Sequence, residues 1–147
     1  MSTVAAVAME PSLLIPSGGN LKPDLVVKSQ GRVFVVDVTV RHEDGDAIAQ
    51  GRASKIEKYS KLLPHLQKLY GADSGEVLPV VVGTRGAMPR ETVLSLAKLG
   101  LKDGSLLKTI SLIALRSSIE IYHRFMDYNA PLRPAGRTPT ADTLRPP

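Results

Sequence analysis

The run from Arg32 to Val40, Arg-Val-Phe-Val-Val-Asp-Val-Thr-Val, constrains this chain more than any other stretch. Side chains branched at Cβ crowd a helix and pack well on a pleated surface, so the run predicts a strand. With a period of two, Val33, Val35, Asp37 and Thr39 share one face, and Phe34, Val36, Val38 and Val40 share the other. Valines on both faces predict that both faces are covered, which leaves Asp37 inside. A carboxylate there is expensive to bury alone. It demands a metal, an Arg or Lys, or a set of hydrogen bonds.

The neighbouring segments say what surrounds that strand. Asp24 to Lys28 is a second β-rich run, joined to the first through Ser29-Gln30-Gly31, which predicts an antiparallel hairpin. Glu43-Asp44-Gly45-Asp46 is a polar break, and Asp46 is placed to cap a helix. From Asp46 to Tyr70, residues Ile48, Arg52, Ile56, Tyr59, Leu63, Leu66 and Tyr70 recur at three- and four-residue spacing, one face of an amphipathic helix. Pro64 predicts a kink or split in it. Val77 to Thr84 reads as a buried central strand, reached from the first by a parallel crossover. Two helices follow, Met88 to Leu99 and Ser105 to Met126. The second has apolar residues on more than one face, so part of it is free to pack on another chain. A short helix is expected before Pro23. This order is α/β, a mixed central sheet flanked by helices.

Composition narrows the class. A chain of 147 residues suits one domain, expected over 1–128, with a Pro-rich, disordered tail over 129–147. Zero Cys excludes disulfide frameworks and Cys-ligated zinc or iron–sulfur sites. The net charge of +5 is too modest to identify a nucleic-acid partner by itself. No apolar run reaches the roughly 18–20 residues that span a bilayer. Met1 to Met9 lacks the basic start of a secretory signal, so an intracellular protein is expected.

The chemistry converges on the hairpin. If the register allows, Asp24 and Asp37 approach each other across the paired strands. Two carboxylates at one spot repel, and a hard divalent cation relieves that. On the following helix, at about 100° per residue, Arg52 and Lys55 fall within about 40° of Tyr59, and Lys58 about 100° away. A cation on that face is placed to steer a water or to stabilise charge on a phosphate oxygen. Tyr59 is placed to hold a water or phosphate. Asp24 alone is a turn residue after Pro23, and Lys55 alone is a surface lysine covering apolar area; only the constellation lifts them. His42-Glu43-Asp44 with Asp46 reads as a solvated turn. His65 and His123 read as structural. Gly83-Thr84-Arg85-Gly86 lacks a full phosphate-loop pattern. It reads as a strand-to-helix turn whose Arg85 is available to a DNA phosphate.

Lys22-Pro23-Asp24, then Asp37-Val38-Thr39-Val40, then Arg52, Lys55, Lys58 and Tyr59 resemble the restriction-enzyme-like endonuclease domain of site-specific retrotransposons lacking long terminal repeats. That group is a branch of the PD-(D/E)xK nuclease superfamily. The match runs from Lys22 to Thr84. It implies a restriction-endonuclease-like core and a DNA endonuclease using Mg²⁺ or Mn²⁺ held by Asp24 and Asp37. The products would carry 5′-phosphate and 3′-hydroxyl ends, and the nick would prime reverse transcription. Most of the superfamily has a lysine two residues after the second acid, where this chain has Thr39. In the retrotransposon branch the lysine comes from the next helix, which points to Lys55 first and Lys58 second. Arg52 holds its proton too firmly to act as a base.

The resemblance adds Glu10 as a third acid, expected on the N-terminal helix, and Thr39, Arg52, Tyr59 and Arg85 as substrate-binding residues. It implies DNA and a reverse transcriptase domain or protein as partners; a second copy of the chain is expected on the junction-resolvase reading below. The nucleus is the implied location if the source is a eukaryotic retrotransposon. Without Cys the chain has no zinc knuckle, and its length excludes a polymerase, so it reads as a cutting module alone. Two other readings keep the fold: a nucleic-acid-binding module without catalysis, motivated by Thr39, and a homodimeric junction resolvase.

Overall fold

The computed structural model describes residues 4–14 and 19–129. Four strands form the main sheet: β1 (Val4–Met9), β4 (Leu25–Ser29), β5 (Arg32–Arg41) and β6 (Ser74–Gly83), in the order β1-β4-β5-β6. The pairs β1·β4 and β4·β5 are antiparallel, and β5·β6 is parallel. Two two-residue strands, β2 (Leu13–Leu14) and β3 (Asn20–Leu21), make a separate small ribbon. The helices are α1 (Ala47–Ser60), α2 (Leu63–Tyr70), α3 (Arg90–Lys98) and α4 (Gly104–Asn129). The protein is therefore α/β, with a mixed sheet between helices.

The hairpin of β4 and β5 turns on Gln30 and Gly31, both at positive φ (48° and 72°). This is the backbone that matches the twist of a two-residue hairpin loop. Ser29 pairs with Arg32, so the loop is one residue shorter than the sequence suggests. The long helical segment divides, with Pro64 in the first turn of α2, where its missing N–H costs nothing. Asp46 stands at the α1 N-cap but makes no side-chain capping bond.

Each face of β5 meets a different helix pair. Val33 and Val35 pack with Tyr59, Leu62 and Leu66 of the α1–α2 arm. Phe34 and Val36, with Leu78, Val80 and Val82 of β6, pack against Leu96 of α3 and Ala114 of α4. Each such side chain contributes about 1.5–3 kcal/mol through burial.

Three expectations need correction. The segment before Pro23 is not a helix but strand β1, which adds to the outer side of β4. Its small residues, Val-Ala-Ala-Val-Ala-Met, read as helical by composition, yet the free edge of β4 decides their state. β6 is not central: it is the last strand of the sheet. From Val77 to Gly83 it is buried and without polar side chains, because helices cover both faces and α3 covers its edge. Thr92 Oγ1 accepts from Val81 N–H (3.2 Å) and donates to the Val81 carbonyl (2.7 Å), closing edge groups that would otherwise be open. Pro79 suits such an edge. Third, the last helix, expected over Ser105 to Met126, runs from Gly104 to Asn129; of the tail expected over 129–147, residues 130–147 lie outside the described residues. Among the described residues no helix is long and apolar enough to cross a membrane.

Candidate functional site

The hairpin register brings the two acids together. Leu25 pairs with Val36, so Asp24 and Asp37 stand opposite each other one step further along. They lie on the face that carries Val33 and Val35, beneath α1. Asp24 is just outside the strand, and its Oδ2 accepts the main-chain N–H of Val38 at 2.7 Å. That bond ties the acid to β5 where β4 has ended. Asp37 is 3% exposed.

The compensation that buried Asp37 demands comes from α1. Lys55 Nζ lies 2.5 Å from Asp37 Oδ2, with the lysine side chain 20% exposed. The contact is a close charge pair rather than a well-angled hydrogen bond, because Oδ2 is a buried oxygen for which no donor has hydrogen-bond geometry. A buried carboxylate standing opposite a second one is a donor set that fits a divalent cation. Among the described residues no group of three or more His, Asp or Glu converges on one point. Asp24 and Asp37 would be the side-chain ligands, a set that suits Mg²⁺ or Mn²⁺ completed by waters and substrate phosphate oxygens.

Tyr59, one turn after Lys55, is buried, and its hydroxyl donates to the Lys22 carbonyl at 3.2 Å. Burial first, then hydrogen bonding to Asp37 and the negative charges of Asp37 and Asp24, push its phenol well above the usual range, so it stays neutral. Tyr59 thus pins the Lys22-Pro23-Asp24 corner to α1 while standing beside both acids. Lys55 and Lys58 approach its ring at 6.0 and 4.8 Å. Lys58 is exposed at the margin of the cluster. Thr39 follows on the same face of β5 as Asp37, half-buried.

Three expected site residues are elsewhere. Arg52 NH1 donates to the Pro79 carbonyl (3.2 Å) and to Ser95 Oγ (3.3 Å). It ties α1 to α3 and to β6 at Pro79, the strand partner of Asp37, so its donors go to the neighbouring strand rather than to the acids. Arg85 lies beyond the end of β6, more than about 13 Å along the strands from the level of Asp37. It is paired with Glu43 at 3.1 Å and Asp44 at 3.5 Å. Glu10 is not helical. It ends β1 at φ 45°, its N–H bonds the Asp24 carbonyl at 2.7 Å, and its exposed carboxylate pairs with Lys22 at 2.7 Å. The Lys22 ammonium holds its carboxyl below the usual range. It therefore borders Asp24 through the backbone, with its charge turned outward.

Two structural roles escaped the sequence. Glu43, read as part of a solvated turn, accepts the N–H groups of Arg85 (2.9 Å) and Ala87 (3.1 Å), organising the turn between β6 and α3. The bond from Ala87 N–H leads the effects that hold its carboxyl below the usual range. Gly83 is required beside it, since a Cβ there would stand 2.1 Å from Glu43 Oε1. The tie between Arg52 and Ser95 likewise has no local signal.

No family model matches the chain, and no curated protein matches it. Among solved structures, the chain is similar to the small subunit of the heterodimeric restriction endonuclease R.BspD6I, with 14% identity over 86% of this chain and 81% of that one, at a TM-score of 0.32.

Proposed function

We propose that this protein is a metal-dependent DNA endonuclease whose site is built from Asp24, Asp37 and Lys55. One observation carries the reading: buried Asp37 stands opposite Asp24 in the hairpin register and is met at 2.5 Å by a lysine from the following helix. A core that needed only a neutral spacer at this position would carry another valine. Bound Mg²⁺ or Mn²⁺ would lower the pKa of a coordinated water and offset charge on the scissile phosphate. Asp24 and Asp37 would hold that cation. Lys55, close to the surface, donates to the attacking water or to a phosphate oxygen as charge builds there. Lys58 at the rim offers a second cation to the DNA backbone. Tyr59 fixes the distance between the hairpin corner and α1. In-line attack breaks the P–O3′ bond and leaves 5′-phosphate and 3′-hydroxyl ends. The retrotransposon setting, with a nick that primes a reverse transcriptase, rests on the resemblance of the Lys-Pro-Asp and Asp-Val-Thr-Val segments. A nuclear location would follow from that setting.

The test is nicking of supercoiled plasmid with Mn²⁺ or Mg²⁺. Asp37→Ala and Lys55→Ala are expected to lose about 100-fold or more, with unchanged circular dichroism. Cleavage equal to wild type in the Asp37 variant sinks the proposal. The non-catalytic reading predicts no nicking and no Mn²⁺ binding that depends on Asp24 and Asp37. A junction resolvase would prefer four-way junctions over linear duplex.

A further inference from the structure

Helix α4 carries more apolar surface than the sheet uses. Leu107, Ile110 and Ala114 form the face that packs on the core. About 120° around the helix, Leu112, Leu115, Ile119, Tyr122 and Met126 recur at spacings of three and four, a seam of the kind that helices use against one another. Leu112 is 64% exposed, Ile119 47%, Tyr122 59% and Met126 51%. Beside the seam, a groove of about 540 Å³ runs between α4 and the end of β5, lined by Val40, His42, Ala114, Ser118, Ile121 and Tyr122 among others.

We infer that this seam pairs two copies of the protein through antiparallel packing of α4 on α4 about a two-fold axis. The spacing is self-complementary: read in either direction it alternates three and four. An antiparallel register then sets Ile119 against Tyr122 of the partner subunit, and Leu115 against Met126 of the partner subunit. Both contacts repeat across the axis, so the interface closes and leaves no seam for a third chain.

Charge selects the same direction. Arg116 and Asp127 lie on one flank of the seam, within about 20° of each other. In antiparallel pairing like flanks meet, which brings Arg116 to Asp127 of the partner subunit twice. Parallel pairing would oppose that flank to Ser111 and Ser118 of the other chain. Within one chain Arg116 pairs with Glu120 at 3.1 Å, in an exposed contact that gives up little on rearranging. The exposed portions of the four seam side chains come to roughly 450 Å² per chain before flanking groups are added, close to the half share of the ~1,000 Å² that a specific interface needs.

The experiment uses the full chain. Sedimentation equilibrium across micromolar concentrations is expected to show a dimer. Ile119→Lys and Tyr122→Glu, both at exposed positions, are each expected to weaken it at least tenfold without changing the circular dichroism. The doubly substituted chain sets each lysine against a glutamate and is expected to recover the dimer. Because the native chain has no Cys, Leu112→Cys reports direction: antiparallel pairing keeps the two thiols about 25 Å apart along the axis, and no disulfide forms. A monomeric wild type, a dimer indifferent to Ile119→Lys, failure of the double substitution to restore pairing, or ready cross-linking at residue 112 each overturns the inference.

Discussion

Lys55 has two duties in this site. With no divalent ion bound, its ammonium meets the charge that β5 buries at Asp37. On the proposed function, a metal held by the two carboxylates would take part of that contact, and the ammonium would be free to turn toward the phosphate. Lysine and metal would then compete for one carboxylate. Lys55→Met is expected to bind Mn²⁺ several-fold more tightly by calorimetry while losing nicking activity; unchanged or weaker binding would contradict the competition. How these residues could be read in the sequence differs by residue. Asp37 stands out because a period-2 run of valines leaves it nowhere to hide. Lys55 follows from helical phase relative to Tyr59. Arg52 shares that phase yet faces the β6 edge, because helix phase does not report how the axis crosses a twisted sheet. Glu10 was assigned to the wrong kind of element, since nothing local to residues 4–9 reveals the free edge of β4.

At the level of elements, the hairpin and the crossover carry the site. The hairpin was legible from its turn residues and alternation, and the crossover from a long amphipathic stretch followed by an apolar strand. The edge position of β6 was not. A strand covered on both faces and sealed by Thr92 along its edge has the same composition as a central one. The turn that follows β6 depends on Glu43, whose hydrogen bonds hold its carboxyl pKa below the usual range. Such a depressed value contributes stability that is present above the unfolded carboxylate pKa of about 4.3 and lost as pH falls through the folded value. Glu43→Gln should therefore lower the urea midpoint at pH 7, with the gap to wild type narrowing as pH falls below about 4.3. A gap that persists unchanged at pH 3 would show that the glutamate charge is not what braces the turn.

At the scale of the whole molecule, the two faces of the sheet divide the labour. The α1–α2 face carries the acids and the lysine. The α3–α4 face carries the apolar seam and the groove beside β5. A dimer formed through α4 would leave both copies of the acid cluster open to solvent, because pairing uses the opposite side of the sheet. An apolar patch of this extent is of the size that is often functional on a protein surface. The sequence shows it only as a helix with apolar residues on more than one side; which side the core takes is decided by Leu107, Ile110 and Ala114 meeting the sheet.

The ion pair between Lys55 and Asp37 bears on how the protein endures between encounters with metal. Folds organised around a structural ion collapse when a chelator removes it. Here the chain carries its own counter-ion, so the architecture and the metal are thermodynamically separable. Chelation should leave the thermal midpoint of the wild type where it was, and added Mn²⁺ should raise it only by mass action on the folded state. A midpoint that drops when EDTA is added to the purified protein would refute that independence. If the proposed function holds, the resting form is fully folded, with the charge of Asp37 answered by Lys55 before any ion arrives.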